Sequence, residues 1–300
     1  MRQAQKQTDR LGRATFHHIP PQEGVRPTLR ELRWLKHIER HGPQNSAYLF
    51  ELTRDTHRCR DTALRQMQKL RAGGVLRLPH QQRATEFAEF NPYIYDLTKK
   101  AQDHLFDLGI SEPTIRPTGH WGHGYMTSCV TSSIDIAAAR EGVRYIPAHD
   151  ILAIKDASLA IPIGGQKLIP DQLFALDYGS SYRVFALEVD RGTEPKTSTV
   201  ARKSYASSIE MYRLLIERQI YKSHYGLKAS LLVLWVFTNR TNEARFLEMM
   251  RAQGGGAKAF VLTQVIQGTQ EPRMPSKVWT NLYHEPWTRV SYGEVLLTND

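Results

Sequence analysis

Two acidic side chains end an otherwise apolar segment of the chain. The segment YRVFALEVDRGTEP, residues 182–195, begins with strand-forming residues and then carries Glu188 and Asp190. Because side chains alternate between the two faces of a strand, these carboxylates point to the same face. Neighbouring carboxylates on an apolar strand repel each other and lose hydration. A cation of the protein, a bound metal ion or a chain reversal that leaves both acids in water would offset that cost.

A preceding segment adds a third carboxylate. IPIGGQKLIPDQLFAL, residues 161–176, is predicted to supply a strand, and DYGSSY has the composition of a turn. If the hairpin turns about residues 179–180, Asp171 lies opposite Glu188, with Cβ atoms about 5 Å apart. Three carboxylates at such a spacing suit Mg²⁺ or Mn²⁺, which can activate water against a phosphodiester. The sequence therefore predicts a carboxylate cluster at one end of a sheet.

Positive charge is concentrated in the first third of the chain. The formal net charge is +10, and residues 1–100 hold 19 Lys and Arg against 10 Asp and Glu, whereas residues 101–300 hold 21 against 20. A basic segment on a balanced chain indicates a polyanion binder, and a basic surface without a partner is the alternative. The absence of a long apolar run and of a secretion signal, with only two cysteines, favours a soluble cytoplasmic protein without a membrane partner.

The predicted third helix, HRCRDTALRQMQKLRAGG at 57–74, divides into two faces. Its apolar face consists of Cys59, Ala63, Leu64, Met67 and Leu70. The opposite arc carries side chains that can donate to phosphates and reach base edges in a major groove. The predicted DNA-binding residues are Arg58, Arg60, Thr62, Arg65, Gln66 and Lys69, with Arg77 and Arg83 in the segment that follows.

Residues 28–110 are predicted to form a winged helix-turn-helix domain after a flexible basic arm, 1–27. Thr28 is the expected N-cap of the first helix, LRELRWLKHIERHG, and NSAYLFELT at 45–53 forms the second. After the third helix, VLRLP and FNPYIYDLT are predicted strands that flank the polar tip HQQRATEFAE, and TKKAQDHLFDLG is a closing helix. Such a domain lays its third helix in the major groove. A module of the same layout that binds protein is the alternative.

A second domain, residues 120–300, follows a predicted linker at 111–119. A helix is expected over 126–141, and the nearby His120, His123 and Cys129 match no usual zinc pattern. RYIPAHDILAI is expected to be irregular to extended. RVFALEVD, KASLLVLWVFT and KAFVLTQV are predicted strands, with a long helix at 197–221 and another in NEARFLEMMRAQGG, which together indicate a mixed sheet.

An apolar stripe on the helix at 197–221 allows two interpretations. It suits either packing on the sheet or a contact between two copies of the chain. The residues of this stripe are Ile209, Tyr212, Leu215, Ile216 and Ile220.

Pro170-Asp171, followed after a short hairpin by Glu188-Val189-Asp190, resembles the PD-(D/E)xK nuclease core. The resemblance implies that Asp171 and Glu188 bind metal, while Asp190 takes the position of the family's lysine and Lys203 is the candidate for the missing cation. The catalytic residues implied are therefore Asp171, Glu188, Asp190 and Lys203, and the metal ligands are the three acids. In the alternative, Asp171 and Glu188 are remnants of the fold and Asp190 pairs with Arg191.

A narrower resemblance joins the two halves of the chain. A basic winged helix followed by PDQLFAL and FALEVDRGTEP is similar to the replication-relaxation family of bacterial plasmids and mobile elements. The resemblance covers most of residues 28–240, and EVDRGTE is its most specific segment. It implies a role in plasmid replication and DNA relaxation.

The sequence as a whole predicts an α+β protein, in which the winged helix-turn-helix domain precedes an α/β PD-(D/E)xK restriction-endonuclease-like domain with a mixed sheet. The favoured function is sequence-directed binding of double-stranded DNA in the replication, relaxation, transfer or transcriptional control of a plasmid or mobile element. The alternative is a Mg²⁺- or Mn²⁺-dependent endonuclease guided by the winged helix. Beyond DNA, a homodimer and other plasmid replication or transfer proteins are the partners considered.

Overall fold

The chain forms two compact units. The computed structural model describes residues 19–57, 59–83, 92–115, 119–191, 204–266, 277–290 and 293–298. Unit 1 comprises Met1–Pro113 with Ser276–Val278, and unit 2 comprises Thr114–Pro275 with Trp279–Asp300. The fold is α+β, with a mixed multi-stranded sheet in unit 2. Among the described helices, none combines the length and the apolar character that a membrane span requires.

Unit 1 combines a group of helices with a small antiparallel sheet of order β1-β3-β2. Gln44 lies opposite Tyr95, and Leu76 lies opposite Leu97. The helices are α1 (Leu29–His41), α2 (Ser46–Leu52), α3 (Arg60–Ala72), α4 (His80–Arg83) and α5 (Lys99–Asp107), and the strands are β1 (Gln44–Asn45), β2 (Leu76–Arg77) and β3 (Ile94–Leu97).

Capping residues fix where the helices of unit 1 begin. Thr28 caps α1 as predicted, and its N–H donates to Oε2 of Glu31 at 2.7 Å. Asn45 caps α2 by accepting hydrogen bonds from two backbone N–H groups, and Thr98 caps α5 by accepting one from Ala101. The three predicted helices and the closing helix of this unit are therefore confirmed, with small shifts at their ends.

The apolar face of α3 differs from the prediction at its start. The helix runs from Arg60 to Ala72 rather than over 57–74, and Cys59 is an exposed N-cap with extended backbone. Because an N-cap residue lies outside the helical periodicity, its side chain does not join the buried stripe. The buried residues of α3 are Ala63, Met67 and Leu70, which pack in the core of unit 1.

Unit 2 is built around a seven-stranded sheet of order β12-β11-β10-β9-β8-β7-β4, in which β9 is parallel to both β8 and β10. Its helices are α6 (Trp121–Arg140), α7 (Ala148–Ala153), α8 (Tyr205–Glu217), α9 (Ile220–Tyr225), α10 (Arg240–Gln253), a 3-10 helix (Gly255–Ala259) and α11 (Asn281–His284). Its strands are β4 (Arg144–Pro147), β5 (Ile161–Ile163), β6 (Gln166–Leu168), β7 (Gln172–Asp177), β8 (Tyr182–Asp190), β9 (Leu231–Phe237), β10 (Val261–Val265), β11 (Trp287–Arg289) and β12 (Gly293–Val295).

Several predicted elements of unit 2 have different bounds. The segment at 161–176 forms three strands, because Gly164 and Gly165 both adopt positive φ and reverse the chain between β5 and β6. RYIPAHDILAI begins with the extended strand β4, in line with the prediction, but its second half forms the helix α7, which was not predicted. The helix predicted from 126 begins at Trp121, and the helix predicted over 197–221 is interrupted at Gln219, where φ is +50°.

One face of the large sheet supports the main core. Val184 and Ala186 of β8 point to this face, where α8, α9 and α10 supply Tyr205, Tyr225 and Phe246. Most of the apolar stripe of α8 is also buried there; Ile209, Tyr212, Leu215 and Ile216 are in this core and Ile220 is partly buried against it. The structure therefore confirms that this stripe packs on the sheet. A homodimer stays a prediction, and this stripe does not support it.

Candidate functional site

The polar arc of α3 forms an exposed face of unit 1, which we call the α3 face: Arg60, Thr62, Arg65, Gln66 and Lys69. Four of these side chains are exposed and Gln66 is partly exposed. Nη2 of Arg65 lies 3.4 Å from Oγ1 of Thr62. Within the described part of the chain, Arg60, Arg65 and Lys69 form no ion pair with an acid.

Six other cations of unit 1 have acidic partners. Lys36 and Arg40 both pair with Glu112 at 2.6 Å. Four more pairs lie on the surface: Arg33 with Asp55, Arg54 with Glu51, Arg77 with Asp96, and Lys99 with Asp103. The three cations of the α3 face therefore keep their charge available to an external anion, whereas these others are locally compensated.

The remaining predicted DNA-binding residues have different positions. Arg77 lies on β2 with a side chain that is 62% exposed, but its guanidinium is 2.8 Å from Oδ2 of Asp96. Arg58 and the side chain of Arg83 lie outside the described part of the chain. Arg77 is thus less available to a phosphate than the α3 face is.

The start of α3 also affects a thiol. The backbone N–H and then the hydroxyl of Thr62, followed by the N–H of Asp61, hold the pKa of the exposed Cys59 thiol below its usual value. A helix N-terminus favours negative charge, which is the physical reason for this direction.

In unit 2, the β7–β8 hairpin has the predicted register. Gln172 lies opposite Leu187 and Asp177 lies opposite Tyr182, so the turn is centred between residues 179 and 180. The same register places Asp171 opposite Glu188, and the N–H of Asp171 donates to the carbonyl of Leu187 at 2.9 Å. The acidic cluster of Asp171, Glu188 and Asp190 therefore lies at one end of the sheet.

All three carboxylates of the acidic cluster are buried. Asp171 is 7% exposed, and Glu188 and Asp190 are each 1% exposed. The hypothesis that a chain reversal leaves Glu188 and Asp190 in water is therefore wrong. Because an unpaired buried carboxylate costs several kcal/mol, each one requires donors from the surrounding protein.

Asp171 receives donors from two elements. Oδ1 lies 2.8 Å from Nε2 of His123, in the first turn of α6, and Oδ2 accepts the N–H of Val189 at 2.8 Å. His123 is 29% exposed, so this contact lies at the border of the buried region. Sequence reasoning did not bring His123 to Asp171, because α6 was predicted to begin only at residue 126.

Tyrosines of α8 hold the other two acids. The hydroxyl of Tyr212 donates to Oε1 of Glu188 at 2.6 Å, and the hydroxyl of Tyr205 donates to Oδ2 of Asp190. Nδ2 of Asn242, on α10, lies 3.4 Å from the same Oδ2. Burial, and then the charge of Glu188, raise the pKa of Tyr212, so its hydroxyl stays protonated and can donate.

The three acids of the cluster do not converge on one point in the structure. In the described part of the chain, Asp171, Glu188 and Asp190 do not offer one oxygen each with all three oxygens within 4.8 Å of one another. Mg²⁺ demands near-ideal octahedral geometry, and each acid already accepts a protein hydrogen bond. Lys203, the fourth predicted catalytic residue, lies outside the described residues. Metal binding by the acidic cluster therefore stays a prediction.

Comparison with known proteins identifies one relationship. The family described as Replication-relaxation matches residues 35–231, about two thirds of the chain. The matched region includes all of α3 and the whole acidic cluster. No curated protein and no solved structure matches the chain significantly.

Proposed function

The chain belongs to the replication-relaxation family, and from that premise we propose that it binds double-stranded DNA of a plasmid or mobile element through unit 1. The observation that carries this proposal is the α3 face, where three cations lack acidic partners among the described residues, whereas six other cations of the unit are paired with acids. Binding to phosphates releases condensed counterions from DNA, which supplies most of the affinity of such a surface.

The arrangement of unit 1 supports a winged-helix interpretation. α2 and α3 are joined by a short turn, and β2 and β3 form an antiparallel pair that follows α3. In a winged helix, the third helix enters the major groove and the hairpin lies near the DNA backbone. Thr62 and Gln66 are then the side chains that reach base edges, and Arg60, Arg65 and Lys69 contact phosphates.

Alanine substitution tests this function. The full-length variant Arg65→Ala/Lys69→Ala should bind a labelled duplex at least tenfold more weakly than the wild type in fluorescence anisotropy. The matched control is Arg54→Ala/Lys99→Ala, which removes one Arg and one Lys that are exposed and paired with acids. Equal losses in both variants would attribute binding to net charge alone, and no loss in either would exclude the α3 face.

For unit 2, we propose a structural role that stabilises the DNA-binding protein, rather than hydrolysis of DNA. This proposal rests on the hydrogen bonds from Tyr212, Tyr205 and His123, which already compensate the acidic cluster. Incubation with supercoiled plasmid in Mg²⁺, Mn²⁺ or EDTA tests it. The expected result is the same topoisomer pattern in all three, and metal-dependent nicking that Glu188→Gln abolishes would instead establish the nuclease.

A further inference from the structure

A cavity of about 560 Å³ lies on the sheet of unit 2, near the start of β8. The acidic cluster lies at the other end of that strand. The cavity is lined by Arg183, Leu232, Pro286, Arg289, Glu294, Val295 and Leu296, and we call it the arginine cavity.

The strand register places its arginines on the face of the sheet opposite to Glu188. Arg183 and Phe185 share a face of β8, and Leu232 lies opposite Phe185 on β9. On β10, Leu262 lies opposite both Arg289 of β11 and Leu234 of β9. Because Leu234 is two residues after Leu232, Arg289 points to the same face of the sheet as Leu232. The sheet thus separates these two positive charges from the acidic cluster.

Arg289 lacks a partner within the part of the chain that the structure describes. Its Nε is buried and has no hydrogen-bond acceptor. The residue directly opposite on β12 is Gly293, which has no side chain that could cover the guanidinium. Glu294 also lines the cavity, but it lies opposite Thr288 rather than Arg289 and forms no ion pair with Arg289 within the described residues.

Arg183 is held in position by the protein. Its Nη1 donates to the carbonyl of Leu296 at 2.9 Å, and its guanidinium carbon lies 5.1 Å from the centre of the Tyr178 ring. Neither contact neutralises its charge, although the ring stabilises it. The cavity therefore contains one oriented arginine and one arginine with an unsatisfied buried donor.

A buried donor without an acceptor is unfavourable, so the unsatisfied Nε of Arg289 favours a ligand that accepts it. Planar guanidinium groups bind oxyanions in a bidentate manner, and a phosphate has enough oxygens for two arginines at once. The volume is in the range of small-molecule sites, and Leu232, Val295 and Leu296 supply an apolar wall. We propose that the arginine cavity binds a phosphate group, carried by a nucleotide or by a nucleic-acid backbone.

Calorimetry on the full-length protein tests this proposal. Inorganic phosphate is titrated at constant ionic strength into the wild type, Arg289→Gln and the control Arg251→Gln, which removes an exposed arginine of α10. The wild type and the control should bind phosphate with equal affinity, and Arg289→Gln should bind at least tenfold more weakly. Arg289→Lys keeps the charge but loses the planar guanidinium, so it should also bind phosphate more weakly. It replaces Arg289→Gln in the test if the glutamine variant unfolds.

Parallel titrations with dAMP and with a short duplex identify the source of the phosphate. Tighter binding of dAMP than of phosphate, lost in Arg289→Gln, assigns the cavity to a nucleotide. If Arg289→Gln binds the duplex more weakly than the wild type does, and the wild type binds dAMP no more tightly than phosphate, the cavity is assigned to a DNA backbone. The proposal is overturned if none of the three ligands binds Arg289→Gln and Arg289→Lys differently from the wild type.

Discussion

At the scale of single residues, chemistry depends on what each polar group contacts. Cys59 and Cys129 illustrate this, because one is an exposed N-cap of α3 and the other is buried in α6. Glu188 and Asp190 are a second example. Both accept hydrogen bonds from neutral tyrosine hydroxyls, whereas the sequence predicted that they bind a metal ion.

Cys59 should report both its lowered pKa and the presence of DNA. Alkylation requires the thiolate, so its rate should rise with pH around a midpoint below the usual thiol value of 9.0. Iodoacetamide labelling followed by mass spectrometry measures this, with buried Cys129 as the slow internal control. A bound duplex should slow the labelling of Cys59, whereas an unchanged rate with DNA would contradict the proposed position of α3.

Tyr212→Phe should destabilise unit 2 by about 1.5–3 kcal/mol, because the hydroxyl donates to a buried carboxylate. The matched control is Tyr225→Phe, which removes a buried hydroxyl that donates to the neutral carbonyl of Leu159. The control should cost about 0.5–1.5 kcal/mol in the same urea titration. Equal losses would mean that Glu188 is not charged in the folded state.

At the scale of elements, His57 links α1 to the turn after α2. It is 2% exposed, stacks on Trp34 with a centroid distance of 4.6 Å, and its Nδ1 lies 3.0 Å from Oγ1 of Thr53. Burial, and then the charge of Arg30, lower the pKa of His57. Because His57 is on the segment that leads into α3, its protonation bears on the DNA-binding element.

Acidification should therefore destabilise unit 1 through His57. Its folded pKa lies below its unfolded value of 6.5, so the unfolded chain binds more protons between these two values and stability falls as the pH is lowered through them. Thermal melts of the wild type and His57→Gln between about pH 7 and pH 5 measure the difference. The wild type should lose more stability than the variant; parallel curves would show that His57 is not linked to folding.

Local signals predicted much of the fold, whereas contacts between distant segments were missed. The cap at Thr28 and the turn at residues 179–180 were readable, because each depends on residues within a few positions of one another. His123 lies 48 positions from its partner Asp171, and Tyr212 lies 24 positions from its partner Glu188, and no local pattern indicates such pairs. The register could place Asp171 opposite Glu188, but it could not show which hydroxyls face them.

At the scale of the whole molecule, metal binding distinguishes the DNA-binding function from the nuclease. A divalent ion bound at 100 times its Kd would stabilise the fold by about 2.7 kcal/mol. Since the acidic cluster does not converge on one point within its described residues, Mn²⁺ should leave the melting temperature unchanged. A rise in the melting temperature that is absent in Glu188→Gln would contradict this expectation.

The central claim is that the α3 face neutralises DNA phosphates, and the salt dependence of duplex binding tests it most directly. The logarithm of the binding constant falls with the logarithm of salt concentration, with a slope of about −0.9 for each phosphate neutralised. Loss of two phosphate contacts in Arg65→Ala/Lys69→Ala should therefore flatten the slope by about 1.8 relative to wild type. Arg54→Ala/Lys99→Ala should keep the wild-type slope. A slope that is the same in all three proteins would contradict the claim.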